Sequence, residues 1–143
     1  MKVENKLRFL SSLLIGFVFF INVQAGIDFY FNPQKYTSAF ELSGIPGDVS
    51  VSGVGLLFLM WNIPYAFALW NPIRHAISLF QAILMQTFGV VGETIILFRI
   101  PDQIHPDLSN SIERFILFDG IGLIFLLYAY FLVFIHKQEQ RGV

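Results

Sequence analysis

Residues 76–98, AISLFQAILMQTFGVVGETIILF, decide the fold. At about 1.5 Å of rise per residue, a helix of this length crosses the roughly 30 Å hydrocarbon layer of a bilayer with some tilt. The stretch also holds Gln81, Gln86 and, near its far end, Glu93. A carboxyl group is costly on a lipid-facing helix and marks a polar interior or a functional position. Ala82, Gln86, Gly89 and Glu93 recur at spacings of four, three and four, so they form one small and polar stripe on an otherwise Leu, Ile, Phe and Val surface. That stripe is expected to face other helices, because polar groups without partners in hydrocarbon are expensive.

The rest of the chain matches this reading. Its 143 residues suit one domain, and they are 55% hydrophobic, 17% aromatic and only 13% charged, with a mean hydropathy of +0.65. Soluble chains carry about 25% charged residues, so this composition belongs to a membrane protein. A net charge of −1 gives no basic face for nucleic acid. With no cysteine, thiol, disulfide, Cys-ligated iron–sulfur and covalent c-type haem chemistry are excluded.

Three further apolar segments are legible, at 7–23, 51–70 and 115–135. The first follows Lys2 and Lys6 and ends near Val23-Gln24-Ala25, which resembles a small-x-small cleavage site. Ser11, Ser12 and Gly16 supply small residues for helix packing and favour a retained span over a cleaved signal peptide. Between the first and second segments, Asn32-Pro33 opens and Ser43-Gly44 closes a short helix expected over 33–42. With Phe29, Tyr30 and Phe31 upstream, its Tyr36 and Phe40 form an aromatic belt at headgroup depth, so it is expected to roof the outer face. Pro64 should kink the second span, with Asn62 close enough to help satisfy the freed carbonyl. Asn71-Pro72 makes a tight turn into 76–98, and Asn110 with Glu113 resembles a capping box opening the last helix.

The expected architecture is all-α: an antiparallel four-helix transmembrane bundle with one interfacial helix. Lys2, Lys6, Arg8, Arg74, Lys137 and Arg141 fall on one side, against Lys35, Arg99 and Arg114 on the other. The basic side faces the cytoplasm, which places both termini inside and predicts a multi-pass protein of the cell (inner) membrane. Asp28, Glu41, Asp48, Asp102, Asp107 and Glu113 then lie on the outer side.

Glu93 and Asp119 are the two carboxyl groups within these spans, each about 6 to 8 Å below the outer boundary. Gly89 and Gly92 precede Glu93, and Gly120 and Gly122 follow Asp119, which permits close approach or leaves a void. Two carboxyl groups brought together there would not both ionise and would share a proton. Gln86, Asn62 and Tyr130 are the other candidate lining residues, Tyr130 because Asp119, Gly122, Leu126 and Tyr130 are placed on one face. Such a pocket suits a cation, a proton relay or the polar end of a lipophilic ligand. Equally, the acids serve as interhelical fasteners.

His75, His105 and His136 have no spacing that builds a metal or haem site within one helix, and neither a phosphate loop nor a nucleophile elbow occurs. The pattern therefore names no catalytic residue, metal ligand or cofactor.

The segment FYFNPQKYTSAFELSG, the Gly-rich VSGVGLLFLMW, the turn NPIRH and Phe118-Asp119-Gly120 together resemble the DoxX-like families of small four-helix bacterial membrane proteins. The resemblance covers most of the chain and implies an antiparallel inner-membrane bundle. Some relatives are associated with quinone-linked redox functions, but no catalytic motif transfers residue by residue. Two functions stand. One is a pocket in the outer half of the bundle for a quinone or other lipophilic small molecule. The other is a non-catalytic subunit or scaffold, assembling with a membrane protein partner or with its own copies. A small multidrug-resistance exporter is a weaker third, since those proteins rely on a Glu in the first span and 7–23 has none.

Overall fold

The computed structural model describes residues 2–101 and 103–141, with side-chain surroundings for 6–101 and 103–138; Met1, Asp102 and the last two residues lie outside this description. Four helices carry the chain: α1 (Lys2–Phe31), α2 (Gly44–Trp70), α3 (Ala76–Leu97) and α4 (Pro106–Arg141). All four are long and apolar enough to cross a membrane. Each packs on the next and α4 returns to α1, so the helices form a closed circuit.

Periodicity explains which faces meet. On α1 the buried residues include Ser11, Ile15, Val18, Asn22, Gly26 and Phe29, and on α4 they include Asp119, Gly122, Leu126, Ala129, Val133 and His136. Steps of three and four keep each set on one face of a helix. Ile15, Val18, Tyr65, Ala68, Leu79, Ala82, Leu126 and Ala129 make the central core. The opposite faces present Phe17, Leu57, Phe88, Ile124 and Phe131 outward, which suits a lipid solvent better than water.

Specific pairs fix the registers. Ser12 Oγ donates to Leu69 O at 3.3 Å, and Ser11 Oγ to Ala129 O at 3.3 Å. Backbone meets backbone at the crossing of α1 and α2, where a Cβ on Gly55 would lie 2.6 Å from Tyr30 N and 2.7 Å from Gly26 O. Only glycine allows the two backbones to approach this closely.

Helix ends depart from the expected ones. α1 runs on through Gly26–Phe31, and α4 begins at Pro106, so the Asn110/Glu113 pattern lies inside a helix rather than at its start. Pro106 sits at the first helical position, where its missing N–H costs nothing. α2 likewise begins at Gly44, seven residues before the apolar run at 51, because Gly44 adopts φ 64° and lets the chain turn into the helix. The single helix expected over 33–42 is instead two 3-10 turns, Pro33–Lys35 and Ser38–Phe40. The Asn32 side chain does not cap: its Nδ2 donates to Asp28 Oδ1 at 2.7 Å, and the Tyr36 hydroxyl also donates to Asp28. The segment thereby folds back on the end of α1.

Pro64 sits inside the unbroken α2. Asn62 Nδ2 donates to Phe58 O at 2.7 Å, so it does not serve the carbonyl of Met60, which is the one four residues before the proline. Asn71 acts in the turn, its Oδ1 accepting from Arg74 N at 3.0 Å, while α3 starts only at Ala76.

Candidate functional site

Three buried side chains link α2, α3 and α4. Tyr65 donates its hydroxyl to Gln86 Oε1 at 2.5 Å and lies 3.2 Å from Ala82 O. Gln86 Nε2 donates in turn to Asp119 Oδ1 at 2.8 Å and to Asp119 O at 3.2 Å. The glutamine amide, with one acceptor and two donors, is thus used on both sides. Glycines make room for it: a Cβ on Gly89 would collide with the Asp119 carboxyl, and one on Gly122 would lie 2.8 Å from Gln86 Nε2. Gly92 and Gly120 meet nothing within 4 Å, so of the four glycines flanking the acids only two are contacts.

Glu93 lies one turn beyond Gly89 on the same stripe of α3. It is half-buried, and its Oε2 is buried with no hydrogen-bond partner among the described residues. No hydrogen bond joins it to Asp119. Asn62 lines the same small void as Tyr65, Gln86 and Asp119, and its Oδ1 is also without a partner. That void measures about 10 Å³. A water needs about 10 to 15 Å³, so there is room for one water at most.

Tyr130 stands apart. It is 36% exposed, with its ring 6.3 Å from that of Phe80. The buried series on α4 passes from Leu126 to Ala129, a step of three, and a step of four to Tyr130 turns the side chain away from the bundle. Gln86, Asp119, Asn62 and, at the edge, Glu93 are brought together; Tyr130 is not. Tyr65 and Asn22 belong with them and were missed, although Tyr65 lies three residues from Asn62 and Asn22 interrupts an apolar run in α1.

The larger space lies beside this cluster. A cavity of about 270 Å³ is walled by Phe29, Phe40, Phe58, Phe115 and Phe118, with Asn22, Tyr36, Ser111 and Arg114 as its polar members. It shares Asn22 and Phe58 with the small void. Phe29 is the hub of the wall: its centroid is 4.4 Å from Tyr36, 5.9 Å from Phe58 and 6.1 Å from Phe115. Edge-on and tilted packing of this kind is the favoured geometry for phenyl rings.

Residues 33–42 cover the cavity and are fastened at both ends. Tyr36 is held by Asp28, whose carboxylate accepts its hydroxyl and keeps the phenol protonated beyond the usual tyrosine range. At the other end Ser111 Oγ donates to Ala39 O at 2.6 Å, and Glu41 lies 2.5 Å from His105 Nδ1. The His105 contact holds the Glu41 carboxyl below its ordinary range.

No group of three or more metal-ligating side chains occurs among the described residues. The fold and site thus define a class: a chain of four apolar helices with a polar seam and a roofed aromatic cavity. Searches against protein-family models, curated proteins and solved structures found no match.

Proposed function

We propose that the chain is an antiparallel four-span bundle of the inner membrane, with both termini cytoplasmic, whose roofed cavity takes a lipophilic small molecule. The observation that carries this reading is the 270 Å³ space lined by five phenyl rings and bounded by a few polar side chains. Ligand pockets of about 300 Å³ and upward have this apolar wall with few polar groups, so the space suits one or two rings or part of a longer chain. The antiparallel arrangement is supported by the pairings Ser12–Leu69 with Gly26–Gly55, Ser11–Ala129 with Val18–Gly122, and Gln86–Gly122 with Gly89–Asp119, in which numbers rise on one helix as they fall on its neighbour. Burial of Ser11, Ile15 and Val18 supports retention of the first span. Quinones remain one ligand class of suitable size, and a DoxX-like relationship remains part of the proposal, supported by the order of the four helices and the folded segment between the first two.

In this reading Gln86 and Asp119 are mainly fasteners, because the space beside them holds no more than a water. The second reading, a non-catalytic scaffold or subunit, is favoured by that same hydrogen-bonded seam. Protein purified in mild detergent should release a lipophilic molecule on solvent extraction, detected by mass spectrometry. The pair Glu93→Gln with Asp119→Asn should release the same amount. Recovery of nothing from the wild type favours the scaffold, and loss only from the double variant returns the acids to the ligand contact.

A further inference from the structure

Asn22 is 7% exposed, sits in the middle of an apolar stretch of α1, and makes no side-chain hydrogen bond among the described residues. The Asn22 amide is not among the sealed-off side-chain atoms without a partner, as Asn62 Oδ1 and Glu93 Oε2 are, so it opens onto space from which a partner can come. It borders both the water-sized void and the aromatic cavity, whose wall holds five phenyl rings with Tyr36, Ser111 and Arg114 as its other polar members.

We propose that Asn22 is the polar anchor of the aromatic cavity, pairing with the carbonyl or hydroxyl of an uncharged, flat ring compound seated among Phe29, Phe58 and Phe115. The Asn22 amide is neutral and offers both a donor and an acceptor, which matches a carbonyl or hydroxyl, and Arg114 is the one charged side chain of the lining. Rings are preferred over a flexible chain because the wall is built of phenyl faces and edges 5.9 to 6.1 Å apart, which receive another ring in offset or edge-on contact. Such a wall also rejects a ring of the same shape lacking the polar group less by sterics than by leaving the amide unpaired. The inference rests on the cavity being a ligand site and adds which residue reads the ligand.

The test uses two single-ring probes of matched shape, acetophenone and isopropylbenzene, which differ in the carbonyl. Ligand-induced thermal stabilisation of the full chain in mild detergent gives their affinities. Wild type should favour acetophenone by about tenfold, and Asn22→Leu should remove that preference while binding isopropylbenzene undiminished. Because Asn22 has no protein partner to lose, Asn22→Leu should melt no earlier than wild type without probe. A preference that survives Asn22→Leu, or a marked fall in its melting temperature, overturns the assignment; the latter would mean that the amide is bridged through water to Asn62. Stabilisation by both probes with no preference in the wild type overturns the anchor and leaves the ligand cavity standing. No stabilisation by either overturns both.

Discussion

Gln86 carries more of the bundle than either carboxyl group, since its one amide joins Tyr65 on α2 to Asp119 on α4. Replacing it with Leu leaves the buried Asp119 carboxyl without its partner while Tyr65 can still donate to Ala82 O, so Gln86→Leu should lower stability by about 1 to 3 kcal/mol. Tyr65→Phe removes one hydrogen bond and should cost about 1 kcal/mol. Unfolding monitored in detergent checks the order. The glycines give a sharper comparison, because Gly89→Ala and Gly122→Ala push a methyl group into Asp119 and Gln86, whereas Gly92→Ala and Gly120→Ala meet open space. The first pair should lose about 1 to 3 kcal/mol, and the second pair little or nothing. The stripe Ala82, Gln86, Gly89, Glu93 was legible in the sequence because helical spacing puts those residues on one face whatever they pack against. Which glycines are filled was not, because that depends on the rotation of α4 about its axis. The same angle decides between Ala129 and Tyr130.

The helices were legible where hydrophobic length decides, as in α3, and less so where backbone chemistry decides. α1, α2 and α4 extend beyond their apolar runs because helix can continue through polar residues once its ends are held by neighbours, as at Asp28 and Gly44. The roof was expected as a helix because Asn32-Pro33 is a good start signal; a tertiary competitor, Asp28, takes the Asn32 side chain instead. At the α1/α2 crossing, Gly55→Ala meets backbone atoms on α1, which cannot move as a side chain can, so it should separate the two helices and cost more than Gly53→Ala, which meets nothing. Roof attachment has a pH dependence. The Glu41 carboxyl is held below its ordinary value by His105, so its contribution is complete above that value and is lost as pH falls through the lower, folded one. Amide exchange over residues 39–42 should therefore speed up as pH falls below the ordinary carboxylate range, with His105→Ala showing fast exchange already at neutral pH.

For the whole molecule, composition and four apolar lengths were sufficient to read a chain of four membrane-type helices, because burial in lipid imposes a length and a hydrophobicity that no soluble fold requires. The cavity was not legible as such. It is made by Phe29, Phe58 and Phe115 from three helices, and aromatic residues in a membrane chain look alike in sequence whether they face lipid or one another. Orientation can be read cleanly because the chain has no native cysteine. A membrane-impermeant maleimide should label Gln103→Cys in intact cells and spare Arg74→Cys, and the reverse would invert the topology. The central claim is that the aromatic cavity is a ligand site, and filling it tests that most directly. Ala25 lines the cavity from α1, and Ala25→Phe would occupy the space. Native mass spectra of wild type and Ala25→Phe should show an added lipophilic mass on the first and bare protein for the second; equal loading of both, or none on either, would contradict the account.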